Sequence, residues 1–268
     1  MKNPSRPGDP GSTVPRVTQP TDYFGESIAA DYDGGSGTEF ESAHIARTVD
    51  LLADLAGDGR ALEFGIGTGR IALPLAERGV EVHGIDLSTA MVERLRRKPG
   101  GEAIGVTMGD FATARAGEGS FALAYLIFNT IMNLTTQDAQ VDCFRNVSRH
   151  LAPGGRFLVE VMVPELRRLP AGQNAVPFRT GPRDWAFDLY EVATQQMSSN
   201  YVEVDGGAGS FRSIPFRYVW PAELDLMARI AGLRLVERWA DWDRTPFGDE
   251  STKHVSVWQK DAAGPGAN

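Results

Sequence analysis

The stretch Ala61-Leu62-Glu63-Phe64-Gly65-Ile66-Gly67-Thr68-Gly69-Arg70 decides the fold that we expect for this chain. Its first four residues predict a short buried strand, and the apolar spacing over residues 71–78 predicts a helix. Glycines at alternate positions between the two let the backbone turn tightly and approach a ligand, because no Cβ stands in the way. A plain strand-to-helix turn would also explain these glycines, so the rest of the sequence has to distinguish the two interpretations.

Predicted strands and helices alternate on both sides of this turn. We expect helices at 41–56, after Ser88 and at 138–151, and strands at 80–85, 103–108, 121–128 and 156–163. This alternation predicts right-handed βαβ units and a parallel sheet. After Pro164 the pattern changes. Alternating apolar runs between 185 and 219 predict a small antiparallel sheet, followed by a helix at 222–231 and strands at 233–239 and 254–260.

The chain of 268 residues is long enough for one large α/β domain. Residues 1–20 contain five prolines and predict a disordered arm, and residues 261–268 predict a disordered tail. We therefore expect one compact domain over residues 21–260, in which residues 165–219 form an accessory insertion.

Composition and charge narrow the classes of function. A formal net charge of -8 opposes binding to nucleic acid or to an anionic membrane. The basic run from Arg94 to Lys98 ends a predicted helix, where we expect a solvated face. The single cysteine, Cys143, falls in an amphipathic helix and predicts core packing in a reducing compartment. The sequence contains neither a long apolar segment nor a secretion signal, which predicts a cytoplasmic protein.

Polar and aromatic residues follow the ends of three predicted strands. Asp86 ends the second strand, where a carboxylate can accept hydrogen bonds from both hydroxyls of a ribose that lies over the glycine turn. Gly109-Asp110-Phe111 ends the third strand, and residues 125–133 end the fourth. Each of these could be an ordinary cap or turn residue. Since the carboxyl ends of parallel strands open into one crevice, together they predict a nucleoside site.

These residues resemble those of class I S-adenosylmethionine-dependent methyltransferases. Residues 63–69 resemble the acidic-x-Gly-x-Gly-x-Gly signature, residues 83–88 the second-strand motif, and residues 151–155 the Leu-x-Pro-Gly-Gly turn before the fifth strand. The resemblance covers residues 21–260. It implies an α/β fold with a Rossmann-like, seven-stranded, mostly parallel sheet, helices on both faces, and an antiparallel last strand.

The resemblance also implies that S-adenosyl-L-methionine is the cofactor. In that family the position of Glu63 and the glycines surround the methionine end, the position of Asp86 binds the ribose, and those of Asp110 and Phe111 hold the adenine. The N-terminal segment resembles a lid that would close over cofactor or acceptor. The cofactor residues predicted in this way are Tyr23, Tyr32, Glu63, Gly65, Gly67, Gly69, Asp86, Leu87, Met91, Gly109, Asp110, Phe111 and Ile127.

A dinucleotide-binding protein is the main rival within the same fold. Its fingerprint requires a third glycine where this chain has Arg70, so that the helix can pack closely. A carboxylate at Glu63 would also repel a pyrophosphate, whereas it suits the ammonium group of a methionine moiety. Both residues favour the methyltransferase.

The sequence says less about the residues that would bind the methyl acceptor. Four histidines, His44, His83, His150 and His254, are candidate bases, but their positions in the predicted elements favour structural roles. Nothing in the spacing of the carboxylates predicts a metal site. The candidate substrate residues are Asn129, Asn133, Tyr190 and Arg217, and the accessory insertion is also a candidate homodimer face.

The sequence therefore predicts an enzyme that methylates an amine or a hydroxyl of a small molecule, preferably a secondary metabolite. A non-catalytic protein that binds S-adenosylmethionine or S-adenosylhomocysteine is the alternative, since the same glycines and carboxylates would serve it. Methylation of RNA or protein is disfavoured. An RNA base-amine enzyme should carry an Asn/Asp-Pro-Pro-aromatic motif where this chain reads residues 127–130, and this segment has no proline.

Overall fold

A computed structural model gives the fold of this chain and describes residues 24–34, 37, 40–117, 120–205 and 208–262. The predicted arm at 1–20 lies outside the described residues, as do Tyr23 and most of the predicted tail. The sequence did not predict the first helix, α1 (Glu26–Asp31), which a 3-10 turn extends to Gly34.

The described elements follow the predicted order closely. After α1 come α2 (Ser42–Ala56), β1 (Ala61–Phe64), α3 (Ala72–Glu77), β2 (Val82–Asp86), α4 (Thr89–Arg97), β3 (Gly105–Met108), β4 (Phe121–Leu126), α5 (Gln137–His150) and β5 (Leu151–Met162). The second half contains β6 (Ala175–Thr180), β7 (Asp184–Glu191), β8 (Gln196–Asp205), β9 (Ala208–Arg217), α6 (Pro221–Ile230), β10 (Leu233–Trp239) and β11 (Lys253–Lys260). Among the described helices, none is long and apolar enough to cross a membrane.

Seven strands form the main sheet in the order β10-β11-β5-β4-β1-β2-β3. Strands β5, β4, β1, β2 and β3 are parallel to one another, whereas β11 runs antiparallel to both of its neighbours, β10 and β5. Helices cover both faces, because α5 and α6 pack into one apolar core and α2, α3 and α4 into the other. These features confirm the Rossmann-like fold, including the antiparallel last strand.

Burial on both faces explains why the inner strands are mostly apolar. All four residues of β1 are buried, as expected for a strand between two helical layers. On one face Phe144, Phe157 and Trp258 form an aromatic cluster with ring centroids 5.0–6.0 Å apart. Cys143 is fully buried in the same core, which confirms the predicted packing role.

The segment between β5 and α6 forms a separate four-stranded antiparallel sheet in the order β6-β7-β8-β9. The sequence predicted this sheet but missed β6, since Pro177 argues against a strand; the edge position of β6 tolerates it. The apolar alternation also pointed to Phe187 and Leu189, whereas the buried residues of β7 are Ala186 and Tyr190.

The start of the fifth strand differs from the prediction. Strand β5 begins at Leu151 instead of Arg156, because Phe121 already pairs with Leu151 before a register shift brings Leu123 opposite Arg156. The shift accommodates the turn around Gly154, whose φ of 78° lies in the left-handed region.

The basic run at the end of α4 is only in part the solvated face that the sequence predicted, since Arg97 is 69% exposed but two other cations bind backbone carbonyls. The Arg96 guanidinium donates hydrogen bonds to the carbonyls of Gly101 and Ile104, and the Lys98 ammonium donates to the carbonyl of Thr68. The prediction was wrong for these two cations because the residues that follow the helix and the glycine turn both present carbonyl groups to its end.

Helix α5 holds the loop that follows β3. The side-chain amide of Asn146 donates to the carbonyls of Phe111 (3.0 Å) and Ala114 (2.8 Å). One turn later, His150 Nε2 accepts from the N–H of Ala116 at 2.9 Å, so Nδ1 carries the proton and donates to the carbonyl of Asn146. The buried amide and imidazole thus fix the backbone next to the predicted adenine residues.

Replacing Asn146 by alanine should lower the free energy of unfolding by about 1–3 kcal/mol, because two carbonyls next to the core lose their donor. Chemical denaturation would measure this loss. The neighbouring Arg145→Ala change is the control, since that side chain is 51% exposed and should alter stability by no more than about 0.5 kcal/mol. Equal stability of both variants would contradict the assignment.

Candidate functional site

The glycine turn after β1 adopts the conformation that its sequence predicts. Gly65, Gly67 and Gly69 have φ values of 77°, 55° and 74°, in the left-handed region that other residues rarely adopt. A Cβ on Gly69 would lie 2.3 Å from Leu95 Cδ1, so this glycine allows α4 to pack against the turn. A Cβ on Gly67 would meet no atom within 4 Å and would project into open space.

The carboxylate of Asp86 ties this turn to the end of β2. Its Oδ2 accepts from the N–H of Gly67 at 2.6 Å, and its Oδ1 accepts from the N–H of Ser88 at 2.8 Å. The adjacent strand is joined at the same point, since Gly109 N–H donates to the Asp86 carbonyl at 2.8 Å. The glycine turn and the ends of β2 and β3 therefore form one hydrogen-bonded unit.

A pocket opens beside the turn, at the carboxyl end of the parallel strands. Of the predicted cofactor residues, it brings together Tyr32, Glu63, Gly65, Gly67 and Ile127. Its other lining residues are Ile66, Thr68, Arg70, Ile71, Phe128 and Thr130.

Glu63 lines this pocket, and its pKa departs strongly from the ordinary value of a carboxyl group. Its side chain is only 4% exposed, and one carboxyl oxygen accepts from the hydroxyl of Tyr125 at 3.0 Å. Burial raises the pKa of Glu63 to about 8, against the smaller opposing effects of the Tyr125 hydrogen bond and the Arg70 charge. A buried carboxylate facing a pocket is suited to a cationic ligand group, whose charge would favour its ionised form.

Sequence reasoning did not assign Arg70 to the site, although it used this residue against a dinucleotide. The guanidinium lies over two aromatic rings that pack edge-on against each other, with its Cζ 4.6 Å from the centroids of both Phe40 and Phe128. These contacts hold a positive charge at the pocket wall. Phe40 and Phe128 are distant from each other in sequence. Their contact with Arg70 could therefore not be predicted without knowing that they meet in the folded chain.

The other predicted cofactor residues lie around the same strand ends. Phe111 packs on Phe64, with ring centroids 6.4 Å apart, and Asp110 accepts from the N–H of Ala112 and closes the turn after β3. Leu87 is 38% exposed, whereas Met91 is buried beneath the first turn of α4. These four residues do not line the pocket.

The structure does not bring the four candidate substrate residues into this pocket. Arg217 is 4% exposed and binds Glu223 (2.7 Å), Gln195 (3.1 Å) and Gln140, so its guanidinium holds β9 to α5 and α6. Arg217 was attractive as a polar residue of the accessory segment, but its hydrogen bonds are made within the protein.

The other three candidate substrate residues also lie outside the pocket lining. Asn129 Oδ1 accepts from the N–H of Met162 at 2.7 Å, and Asn133 ends the 3-10 helix Thr130–Asn133. Tyr190 is 2% exposed and packs on Tyr218, with centroids 5.5 Å apart.

The segment before α2 lies against the glycine turn. Asp33 accepts from the hydroxyl of Thr68 at 2.6 Å and pairs with Lys98 at 2.7 Å. Tyr32 packs edge-on against Phe24 and Phe40, with centroids 6.5 and 6.0 Å away. The described part of the predicted lid thus closes one side of the pocket.

The four histidines are absent from the residues that line the pocket. Burial lowers the pKa of His83 and holds that of His254 at about 3. In the described part of the chain, no three or more His, Cys, Asp or Glu side chains converge as a metal site would require.

Comparisons with known proteins agree with this arrangement. Residues 61–155 match a family described as a methyltransferase domain. The chain is 28% identical over 210 residues to the cypemycin N-terminal methyltransferase of a Streptomyces species, covering 76% of this chain and 84% of that protein.

Solved structures extend the likeness over most of the chain. The CcbJ methyltransferase of Streptomyces caelestis is 36% identical, with a TM-score of 0.79 over 90% of this chain and 98% of CcbJ. The S-adenosylmethionine-bound amino pentose methyltransferase CalS10 of Micromonospora echinaspora shares the fold at 21% identity, with a TM-score of 0.62 over 87% and 96% of the two chains. With the glycine turn, Asp86 and Glu63 in these positions, the chain belongs to the S-adenosylmethionine-dependent methyltransferase family.

Proposed function

We propose that this methyltransferase transfers the methyl group of S-adenosylmethionine to a small secondary metabolite, and to an amine in preference to a hydroxyl. The observation that carries the proposal is the pairing of a buried carboxylate, Glu63, with a cation, Arg70, in one pocket beside the glycine turn. An amino-acid zwitterion such as the methionine end of the cofactor needs both charges. The likeness to the cypemycin N-terminal methyltransferase supports an amine acceptor.

The residues present fit this cofactor. Glu63 would bind its ammonium group and Arg70 its carboxylate, while Asp86 would accept from the ribose hydroxyls and Phe111 would pack on the adenine. When bound, the cofactor supplies a methyl group on a sulfonium, which is already an activated leaving group. The chain's own contribution is therefore chiefly to position the reactants and to exclude water.

The surroundings of the pocket favour an amine acceptor. A hydroxyl benefits from a general base, whereas an amine has only to be neutral when it reacts. Among the described residues that line the pocket, Glu63 is the only carboxylate, and we assign it to the cofactor. The apolar and aromatic side chains of Ile127, Phe128 and Tyr32 would favour a neutral amine over its ammonium form.

The same proposal includes the cytoplasm as the site of the reaction and a homodimer as the assembly. The single buried cysteine suits a reducing compartment. The accessory sheet exposes large apolar side chains such as Phe178, Trp185 and Phe211, which suit a contact between subunits.

A transfer assay with methyl-labelled S-adenosylmethionine tests the proposed acceptor. We expect label to reach small primary or secondary amines at rates that rise with pH as the amine loses its proton. Hydroxyl compounds of matched size, transfer RNA and a mixture of proteins serve as comparison acceptors. Transfer to hydroxyls alone would contradict the amine preference, and transfer to RNA or protein alone would contradict a small-molecule acceptor.

Replacing Gly67 by alanine should abolish binding of S-adenosylhomocysteine, because the added methyl group would project into the pocket. Gly57→Ala is a matched control, since Gly57 has the same φ of 55°, also has free space around its Cβ position, and lies at the end of α2. Both variants should lose stability because alanine is strained at a positive φ, and Gly57→Ala should lose at least as much, since the ψ of Gly57 is -132°. Calorimetric titration should then separate them, and equal affinities would remove Gly67 from the site.

Binding of S-adenosylhomocysteine should also release a proton from Glu63. The free carboxyl, with a pKa of about 8, is mostly protonated at pH 7, whereas an ammonium ligand requires the carboxylate. Because the complex holds fewer protons than the free protein, affinity should rise by up to about tenfold per pH unit from pH 6 and level off near pH 8.

Calorimetry at pH 7 in buffers of different ionisation enthalpy measures this proton release. The Glu63→Gln variant is the control, because an amide cannot titrate and its binding enthalpy should not depend on the buffer. A buffer-independent enthalpy for the wild-type protein would contradict the release of a proton from Glu63 on binding.

A further inference from the structure

The chain leaves β4 through two consecutive residues in the left-handed region. Phe128 has a φ of 59° and Asn129 a φ of 58°. Asparagine tolerates this conformation, but phenylalanine rarely adopts it, because its side chain crowds the neighbouring carbonyl. Other contacts must therefore hold this turn, which we call the 128–129 turn, in place.

Three hydrogen bonds to β5 hold the 128–129 turn. The carboxylate of Glu160 accepts from the N–H of Phe128 at 2.6 Å, and the Glu160 carbonyl accepts from the N–H of Asn129 at 3.3 Å. In return, Asn129 Oδ1 accepts from the N–H of Met162 at 2.7 Å. The regular ladder between β4 and β5 has ended before this point, so side-chain oxygens complete the hydrogen bonding.

The bond from Phe128 to Glu160 is the short, carboxylate-assisted member of the three. The Glu160 side chain is 13% exposed, and its other oxygen lies 4.0 Å from the Lys253 ammonium of β11. Glu160 itself does not line the pocket. The 128–129 turn connects it to the pocket.

The 128–129 turn in turn forms one wall of the pocket. Ile127, Phe128 and Thr130 all line it, and the Phe128 ring stacks on the Arg70 guanidinium at 4.6 Å. The methyl group of Thr130 packs against the glycine turn, 2.8 Å from the position of a Cβ on Gly65. A shift of the 128–129 turn would therefore displace the apolar wall of the pocket. It would also disturb the contacts of that wall with the Arg70 guanidinium and with the glycine turn.

We propose that Glu160 is a positioning residue for methyl transfer, which holds the left-handed 128–129 turn, and with it the Phe128 ring, against the pocket. The inference rests on the proposed placement of the cofactor in this pocket. Without an acceptor at position 160, the N–H of Phe128 loses its partner, the residue relaxes towards a negative φ, and its ring leaves Arg70.

Titration of the full chain with S-adenosylhomocysteine tests this role. Glu160→Ala should weaken binding by about tenfold or more, since it removes a hydrogen bond to a charged acceptor. Glu160→Gln should stay within about threefold of the wild type, because its amide oxygen can still accept from the N–H of Phe128. Lys253→Met should bind as the wild type does, since it leaves that hydrogen bond intact.

A remote variant controls for a general loss of stability. Arg238→Met removes a bidentate pair with Asp225, at 2.7 and 3.2 Å, on the edge strand β10. The melting temperatures of all variants are measured alongside their affinities. At a comparable loss of melting temperature, only Glu160→Ala should lose affinity.

Wild-type affinity in Glu160→Ala would overturn the proposal, and so would an equal loss in Glu160→Ala and Glu160→Gln or in Arg238→Met. A wild-type protein that does not bind S-adenosylhomocysteine would instead overturn the cofactor placement. The two failures are therefore distinguishable in one series of titrations.

Discussion

The hydrogen bond between the Asp86 carboxylate and the N–H of Gly67, 2.6 Å long, is the constraint on which the site depends. It joins the end of β2 to a turn that only glycine can build at low cost, because three of its residues have positive φ. Once that turn is fixed, the pocket opens beside it, Asp33 can bind Thr68, and the segment before α2 closes one side. The proposed ribose-binding residue is thus also a structural residue, and its second role is available because a carboxylate can accept several hydrogen bonds.

The buried carboxylate of the pocket lowers the stability of the ligand-free protein. A carboxylate as deeply buried as Glu63 is destabilised unless it stays protonated or meets a cation, and its raised pKa expresses that cost. Arg70, whose guanidinium contacts the rings of Phe40 and Phe128, offsets part of that cost. This pairing of a buried carboxylate with a cation suits the zwitterionic ligand that we propose, whereas a dinucleotide would gain nothing from the carboxylate.

Much of the fold could be predicted because local pattern and global topology agree. The residues of β1 and β10 were predicted to the residue, and Asp86 and the glycines were placed at strand ends by the parallel topology alone. Where local signals conflicted with tertiary context, prediction failed. Pro177 argued against a strand at β6, which lies at the edge of its sheet. The substrate roles of Arg217 and Asn129 stay predictions, and the structure adds that their polar atoms form hydrogen bonds within the protein. Arg70, Phe40 and Phe128 meet only after the chain has folded, as do Glu160 and the 128–129 turn, so no spacing in the sequence could reveal them.

The central claim is that the turn over residues 63–70 binds a sulfonium nucleoside and not a dinucleotide. Calorimetric titration of the purified protein with S-adenosylhomocysteine and, in parallel, with NAD tests this claim most directly. Saturable binding of S-adenosylhomocysteine without binding of NAD is the predicted result. Binding of NAD without S-adenosylhomocysteine would contradict the account, since Glu63 and Arg70 would then serve a pyrophosphate-containing ligand.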